Sequence, residues 1–174
     1  MQLVCPAGNL PALRAAIDAG ADAVYAGFRD QTNARAFPGL NFDGRELRQG
    51  IAYAHAMDRQ VYLALNTYPD SVRLPHWQAA VDHAAELGVD AIIAAEMGVL
   101  DYACRAHPQL ARHLSVQGSA TTAAALKYAW ERFGIARAVL PRVLSVQQVE
   151  RLCAASPVPL EVFAFGSLCI MVEG

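Results

Sequence analysis

The sequence predicts an α/β fold, an incomplete TIM-like (β/α) barrel of about seven parallel strands that alternate with helices. Short runs rich in Val, Ile, Leu and aromatic residues alternate along the chain with segments of helical periodicity. Most of these runs are apolar at consecutive positions, which is typical of strands buried on both faces of a parallel sheet. Several runs end in polar residues, as strands do at the carboxyl-terminal rim of a barrel.

Seven runs are predicted to be strands. No GxGxxG sequence follows the first of them, so the alternative, an open doubly wound sheet, lacks its best sign. A closed barrel needs eight units, and the chain has room for seven and a fragment. We therefore expect residues 1–174 to be a single amino-terminal domain, truncated before the rest of a longer protein. The predicted strands are residues 3–8, 23–28, 61–66, 91–96, 113–119, 138–143 and 160–166.

The segments between these runs carry the signals that begin and end helices. Asn9 can cap a helix that has Pro11 in its first turn and Gly20 just past its end. Asp43 and Glu46 have the spacing of a capping box, in which each side chain binds the other residue's backbone N–H. We therefore predict helices that begin after Asn9 and after Asp43.

Further along, one helix is predicted over residues 77–88 and another over residues 119–134, each ending at a glycine. Ser145 and Gln148 form a second capping-box pattern, which begins a later helix. The stretches DAGADAVYAGF and ELGVDAIIAAE are alike, since in both a helix end is followed by Asp-Ala and a strand. This indicates a weak internal repeat of the βα unit.

Composition and charge exclude several classes of protein. Apolar residues make up 55% of the 174 and charged residues 17%, unlike a disordered chain. The formal net charge of −2 gives no basic footprint of a nucleic-acid-binding protein. No apolar run is long enough to span a membrane, and the first residues lack the layout of a signal peptide. We expect a cytoplasmic protein with reduced cysteines and no membrane insertion.

The long segment after the second predicted strand, FRDQTNARAFPGLNF, is a candidate for function, because long loops in compact domains often carry it. It contains Arg29, Arg35 and Asn41, interleaved with aromatic residues. Arg35 is the favoured substrate contact, since a guanidinium can bind a carboxylate or phosphate through two hydrogen bonds. Alternatively, this is a surface loop pinned by Phe37 and Phe42, with Asn41 preparing the helix cap.

Polar residues at the ends of four further strands would converge at the mouth of a barrel. They are Asn66, Glu96, Gln117 and Arg142. A polar residue at a strand end often binds only loop backbone, but together these four predict a polar pocket.

Glu161 begins the otherwise apolar last strand, where a carboxylate needs a partner. Arg142, near the end of the neighbouring strand, is a candidate partner, although opposite strand ends would separate the two.

None of the five histidines belongs to a metal-binding pattern, and we assign no catalytic histidine. Tyr25 and Tyr62 lie within strands, where we expect them to pack with their hydroxyl groups hydrogen-bonded.

Cys169 comes directly after the last predicted strand, behind the sequence GSL. A thiol there would face the mouth of the barrel, where a metal ligand or a nucleophile is expected. The alternative is a buried structural cysteine, because free cysteines are commonly buried. An iron–sulfur cluster normally takes four thiolates, and Cys5, Cys104 and Cys153 are scattered along the chain.

Several of these motifs together resemble the collagenase-like U-family peptidases. They are CPAGNLPALRAAIDAGADAVYAGFRDQTNARAFPGLNF, SVQGSAT, AVLPRVLSVQQV and LEVFAFGSLCIMVEG. The match covers the whole chain and is closest to members that serve anaerobic ubiquinone biosynthesis. The chain departs from the family at Gly118, where Ala is expected, and at Glu96, where Asp is usual. The longer side chain of Glu96 would shift the pocket if that carboxylate binds substrate.

The resemblance implies a [4Fe–4S] cluster in the full-length protein, with its first ligand at Cys169 and the other three beyond Gly174. It also implies a heterodimer with a homologous U-family subunit. The implied reaction is oxygen-independent hydroxylation of a quinone precursor, with a small carboxylic acid such as prephenate as the oxygen source. The substrate pocket would then be lined by Arg35, Asn41, Asn66, Gln117, Arg142 and Glu161.

Three other functions stay open. A family member could hydroxylate RNA, although the slightly acidic net charge counts against nucleic acid as a partner. The chain could belong to a non-catalytic subunit that docks a homologous partner. It could also be a peptidase, although the sequence shows no nucleophile–base pair and no zinc motif. We therefore expect the peptidase name to be nominal and leave open whether the chain is an enzyme.

Overall fold

The computed structural model describes residues 1–166, and in that range it contains seven strands in one parallel sheet. Neighbouring strands in the sheet are consecutive in the chain, and the sheet curls into a half-barrel. The predicted fold class is therefore confirmed. The strands are β1 (Val4–Pro6), β2 (Ala23–Gly27), β3 (Gln60–Leu65), β4 (Ala91–Ala94), β5 (Ala111–Leu114), β6 (Arg137–Val139) and β7 (Leu160–Glu161).

A helix connects each pair of consecutive strands, as expected for parallel βαβ units. A short 3₁₀ helix over residues 116–118 also follows β5. No helix in the described part of the chain is long and apolar enough to cross a membrane. The helices are α1 (Leu10–Asp18), α2 (Gly44–Ala56), α3 (Leu74–Leu87), α4 (Met97–Ala106), α5 (Ala123–Phe133) and α6 (Val146–Ala155).

The predicted helix caps are confirmed. The Asn9 side chain accepts a hydrogen bond from a backbone N–H in the first turn of α1. Both reciprocal bonds of the capping box join Asp43 to Glu46 at the start of α2. The same pair of bonds joins Ser145 to Gln148 at the start of α6. Local side-chain chemistry therefore sets where these three helices begin.

Several predicted boundaries around β5 and α5 are wrong. The strand predicted over residues 113–119 ends at Leu114, because the Ser115 side chain accepts the N–H of Gln117 and begins the 3₁₀ turn. The helix predicted from residue 119 begins at Ala123. Ser119 has a φ of 47°, in the left-handed region, and the side chain of Thr122 forms the actual cap.

The last two strands are shorter than predicted. β6 and β7 pair over only two residues each, so β6 ends at Val139 and β7 at Glu161. The residues that follow them extend past the edge of the sheet, on the side where the carboxyl ends of all seven described strands lie. Segments 140–145 and 162–166 therefore belong to the loops of that edge.

Buried apolar residues form two clusters on opposite faces of the sheet. The larger lies between the sheet and the helices and includes Trp77 and Leu126. The smaller contains Ala23, Tyr62, Ala91 and Ile93, which alternate along their strands with members of the larger cluster. The smaller cluster therefore marks the concave face of the curled sheet.

The internal repeat seen in the sequence has a structural counterpart at the amino-terminal edge of the sheet. Asp22, just before β2, accepts the backbone N–H of Leu3 at 2.8 Å. Asp90, just before β4, accepts the backbone N–H of Val61 at 2.7 Å. In each case the aspartate binds the start of the preceding strand. The aspartate of the repeated Asp-Ala therefore joins neighbouring strands at the edge of the sheet opposite the candidate site.

Candidate functional site

Asparagine side chains fold the long loop between β2 and α2, residues 28–43. Asn33 is buried, its Oδ1 accepts the N–H of Arg35 at 2.9 Å, and its Nδ2 donates to the carbonyl of Phe28 at 3.2 Å. The Nδ2 of Asn41 donates to the carbonyl of Arg35 at 2.6 Å. Both polar groups of the Arg35 backbone are therefore bound, which fixes the point from which its side chain projects.

Asn41 and Asn66, two of the predicted substrate-binding residues, take part in folding this loop. Asn41 has a φ of 72°, a conformation that asparagine adopts more readily than most residues, and its N–H donates to the carbonyl of Gly8 at 2.6 Å. The Oδ1 of Asn66 accepts the N–H of Ala34 at 3.0 Å. Both residues position the loop that carries Arg35, and a direct contact with substrate stays a prediction.

Phe42, near the end of the loop, and Arg29, near its start, anchor the loop. Phe42 is fully buried, whereas Phe37 is half exposed, so only one of the two expected phenylalanines pins the loop. Arg29 donates from Nε to the carbonyl of Asn41 at 3.0 Å and forms an ion pair with Glu46 of α2. Arg29 therefore ties the loop to the helix that follows it, while Arg35 lies exposed at the rim.

Gln117 lies on the 3₁₀ turn that follows β5, and its backbone is also fixed. Its N–H donates to the Oγ of Ser115 at 3.2 Å, and its carbonyl accepts the hydroxyl of Tyr68 at 2.6 Å. Tyr68 belongs to the loop after β3, so this bond crosses over β4 and joins two loops of the rim. The predicted role of Gln117 in binding substrate stays a prediction, now with a defined place at the mouth.

Glu96 has a local structural role. Its Oε2 accepts the N–H of Val99 at 2.8 Å and caps α4, where a carboxylate is also favoured by the helix dipole. Its charge and the burial of Tyr68 together raise the pKa of that tyrosine, with burial the larger cause. Glu96, one of the four polar residues predicted to line the mouth, therefore serves as the cap of α4.

Glu161 and Arg137 form an ion pair on the concave face, with Nη1 and Oε2 3.2 Å apart. Their side chains are only 21% and 15% exposed. The candidate partner in the sequence was Arg142, with the reservation that opposite strand ends would separate the two; the actual partner, Arg137, follows from register. Val139 lies opposite Glu161, so Arg137, two residues earlier on β6, shares the same face. Arg137 also donates to the Oε1 of Gln2, which joins β6 to the amino terminus.

His113 lies beside this pair and is 5% exposed. Its ring meets that of Tyr62 edge-on, with centroids 4.6 Å apart, and the guanidinium of Arg137 lies 5.5 Å from the Tyr62 centroid. The Nδ1 of His113 has no hydrogen-bond partner among the described residues. Burial, assisted by the charge of Arg137, lowers the pKa of His113 to about 4, so the ring is neutral at pH 7.

Sequence reasoning missed Arg137 and gave His113 no role. The signal that could have found them is the alternation of side chains along a strand. His113 is two residues after Ala111 on β5 and lies opposite Arg137 of β6, so all three side chains share the concave face. Tyr62, by contrast, behaves as expected, since its hydroxyl donates to the Oε1 of Gln60 at 2.7 Å.

Tyr25 lies on the same concave face, opposite Tyr62 in register. Burial is the main cause that raises the pKa of its hydroxyl, and the charge of Glu161 raises it further. The charges of Arg35 and Arg142 act on the same hydroxyl and lower its pKa. Arg35, Arg142 and Glu161, which come from two loops and β7, are therefore all close enough to Tyr25 to affect its pKa.

Arg142 lies on the loop after β6, where its guanidinium carbon is 3.6 Å from the ring centroid of Phe163. This stacked pair borders a groove of about 740 Å³ between α6 and the segment that follows β7. Val146 and Val149 line the helix side of the groove, and Phe165 lines the other. Arg142 is therefore held at the rim by an aromatic ring.

The cysteines of the described part do not fit an iron–sulfur cluster. Cys5 lies on β1, Cys104 on α4 and Cys153 on α6. Residues 1–166 contain no group of three or more His, Cys, Asp or Glu side chains that could hold a metal ion. Cys169, the predicted ligand, lies outside the described residues, as do Ser167 and Leu168 before it.

A curled parallel sheet with polar loops gathered beyond its carboxyl ends defines a (β/α)-barrel protein with its candidate site at that end. The family model of Peptidase family U32 matches residues 8–174. The chain belongs to this family, and the resemblance found in the sequence is confirmed at that level.

Relatives with described activities are similar over nearly the whole chain. The tRNA hydroxylation protein P of Escherichia coli is 33% identical over 99% of this chain and 38% of its own length. The collagenase of Porphyromonas gingivalis is 32% identical over 99% of the chain and 43% of its own. The 23S rRNA 5-hydroxycytidine C2501 synthase of Escherichia coli is 28% identical over 100% of the chain and 26% of its own. The chain thus spans well under half the length of these relatives.

Among solved structures, the U32 peptidase Mk0906 superposes with a TM-score of 0.75 at 15% identity. The superposition covers 93% of this chain and 68% of the other. At that identity the likeness concerns the fold alone.

Proposed function

We propose that this chain is the barrel part of a protein that hydroxylates RNA, with transfer RNA as the first candidate substrate. The observation that carries the proposal is the 33% identity over 99% of the chain to a protein named for tRNA hydroxylation. A ribosomal RNA hydroxylating enzyme is also similar over the whole chain. Two relatives that act on RNA by the same kind of reaction make this the most economical assignment.

The structure supports a site for this reaction at the carboxyl end of the sheet. The loop that carries Arg35 is folded by partly buried hydrogen bonds, and the loops after β3 and β5 are joined by the Tyr68–Gln117 bond. A preorganised rim loses little entropy when a ligand binds. The net charge of −2 counted against RNA, but this chain spans about two fifths of the tRNA hydroxylation protein's length. The net charge of this chain therefore does not by itself decide whether the whole protein can bind RNA.

The cofactor belongs to the same proposal. We expect a [4Fe–4S] cluster in the intact protein, with Cys169 as one ligand and the others outside this sequence. The thiols of the described part are too scattered to serve. A homologous U-family subunit, a small carboxylic acid and a cytoplasmic location stay predictions of the sequence.

Hydroxylation of a quinone precursor in ubiquinone biosynthesis is the second candidate. The acidic net charge favours it, because a quinone precursor demands no phosphate-binding surface. Arg35 and Arg142 at the mouth would then bind the carboxylate of a small acid. The two candidates differ in product, so one genetic experiment separates them.

The test is complementation of an Escherichia coli strain that lacks tRNA hydroxylation protein P. The intact protein should restore the hydroxylated nucleoside in tRNA, and Arg35→Ala should restore much less. Arg59→Ala is the matched control, since Arg59 binds Asp22 at the opposite edge of the sheet and should leave activity unchanged. Restoration of quinone synthesis in a quinone-deficient strain, without any effect on tRNA, would support the second candidate and overturn the first.

A further inference from the structure

Three exposed aromatic side chains lie on separate loops at the carboxyl end of the sheet. Phe37, on the loop after β2, is 52% exposed; Tyr68, after β3, is 50% exposed; and Phe163, after β7, is 40% exposed. Because the strands are parallel, all three loops lie at one edge. Their shared position at the edge that carries the candidate site makes this edge a candidate interaction surface.

Tyr68 is the most clearly positioned of the three. Its hydroxyl donates to the carbonyl of Gln117 at 2.6 Å, which holds the far end of the side chain against another loop. Burial of the hydroxyl, assisted by the charge of Glu96, raises its pKa, so it remains a donor at neutral pH. The ring is therefore fixed at its polar end while half of its surface stays open to a ligand.

Phe37 lies two residues after Arg35 in the chain, and Phe163 packs against the guanidinium of Arg142. The N–H of Phe37 donates to the carbonyl of Arg35 at 2.8 Å, and its carbonyl accepts the N–H of Leu40 at 3.1 Å, so its backbone is fixed beside Arg35. The guanidinium of Arg142 lies 3.6 Å from the Phe163 centroid. Each of these two aromatic residues therefore shares its part of the rim with an arginine, by backbone position for Phe37 and by ring contact for Phe163, and a guanidinium can bind phosphate.

We infer that Phe37, Tyr68 and Phe163 form a stacking surface for unpaired nucleotides of RNA, with Arg35 and Arg142 binding the backbone phosphates. This inference rests on the proposed RNA function. Proteins that bind single-stranded RNA stack its bases on aromatic rings and follow its backbone with positive charge. A base inside a duplex has no free face, so the surface selects looped or extruded nucleotides.

The test measures how tightly the intact protein binds two fluorescently labelled RNAs, a hairpin with an unpaired loop and a duplex of equal length. The hairpin should bind more tightly. Tyr68→Leu, Phe37→Leu and Phe163→Leu should each weaken hairpin binding by about 5- to 150-fold, which is the usual range for loss of one base-stacking ring. Because stacking is not ionic, the dependence of the dissociation constant on salt should stay the same.

Three controls separate stacking from other effects. Tyr68→Phe keeps the ring and removes only the bond to Gln117, so it should weaken hairpin binding less than Tyr68→Leu does. Trp130→Leu removes an aromatic ring of similar exposure from α5, on the outer wall, and should change nothing. Arg142→Gln should reduce the slope of log Kd against log salt concentration by about one, as expected for one phosphate contact. Circular dichroism confirms that each variant folds.

The outcomes distinguish this inference from the proposed function. If the wild type binds the hairpin and all three leucine variants bind it equally well, the stacking surface is wrong while the RNA function stands. Equal binding of hairpin and duplex also overturns the stacking surface. If the wild type binds neither RNA, the proposed function itself fails.

Discussion

The guanidinium of Arg137 and the carboxylate of Glu161 meet at 3.2 Å on the concave face of the sheet, joining β6 to β7. Both side chains are largely withdrawn from solvent. Removal of one partner leaves the other charge uncompensated in the interior. We expect Arg137→Met to lower the free energy of unfolding of the intact protein by about 3 kcal/mol, measured by urea denaturation.

The control for this pair is the double variant Arg137→Met with Glu161→Met. Because it removes both charges, it should be more stable than Arg137→Met alone. A double variant whose loss equals the sum of the two single losses would show that the residues do not interact.

His113 predicts a loss of stability in mild acid. The pKa of its ring in the folded protein, about 4, lies below the 6.5 of an unfolded histidine. Between these pH values the unfolded state binds more protons, so stability is lost as the pH falls from 6.5 toward 4. His113→Gln should remove about 2–3 kcal/mol of that fall, measured as the free energy of unfolding at a series of pH values.

His55 supplies the comparison for this pH effect. It is partly exposed and binds Asp90 at the other edge of the sheet, so His55→Gln should keep the part of the fall that His113 causes. If His113→Gln loses stability in acid as steeply as the wild type, the buried neutral ring is not the source.

We expect Asn33 to hold the loop that carries Arg35 in a fixed conformation. Its side chain makes two hydrogen bonds inside residues 28–43, so Asn33→Ala should loosen this segment. Trypsin cuts after arginine, and cleavage after Arg35 should become several times faster in limited proteolysis. Asn9→Ala, which removes the cap of α1, should cost about 1 kcal/mol of stability without faster cleavage there. Equal cleavage of the Asn33→Ala variant and the wild type would show that the loop does not depend on this side chain.

The iron content of the intact protein should depend on Cys169. If this thiolate is a cluster ligand, Cys169→Ala protein purified without oxygen should contain much less iron and lose the visible absorption of thiolate-bound iron. Cys153→Ala is the matched control, because Cys153 is an exposed residue of α6. Full iron content in the Cys169→Ala protein would show that this cysteine is not a ligand.

The fold could be predicted because its signals are local. The capping boxes and the glycine that ends α3 depend on neighbouring residues and were found where the sequence indicated, and each of the seven predicted strand runs overlaps a strand. The limits of β5 and α5 were missed because Ser115 and Thr122 cap the following turns with their own side chains. A short polar side chain can satisfy backbone in more than one way, and the sequence does not show which.

The site was predicted less well because it depends on register. The partner of Glu161 is decided by how β6 pairs with β7, which puts Arg137 and not Arg142 on its face. Asn41 and Asn66 were recognised as polar residues of the mouth, but their bonds to loop backbone follow from the path of residues 28–43. Such contacts join residues distant in sequence, which a single sequence does not reveal.

The proposal that the protein hydroxylates RNA is tested most directly by nucleoside mass spectrometry of the protein's own host. Deletion of the gene should remove from tRNA a nucleoside that carries one extra oxygen atom, and leave the quinone pool unchanged. Reintroduction of the gene should restore that nucleoside. Unaltered RNA nucleosides together with a depleted quinone pool would contradict the claim.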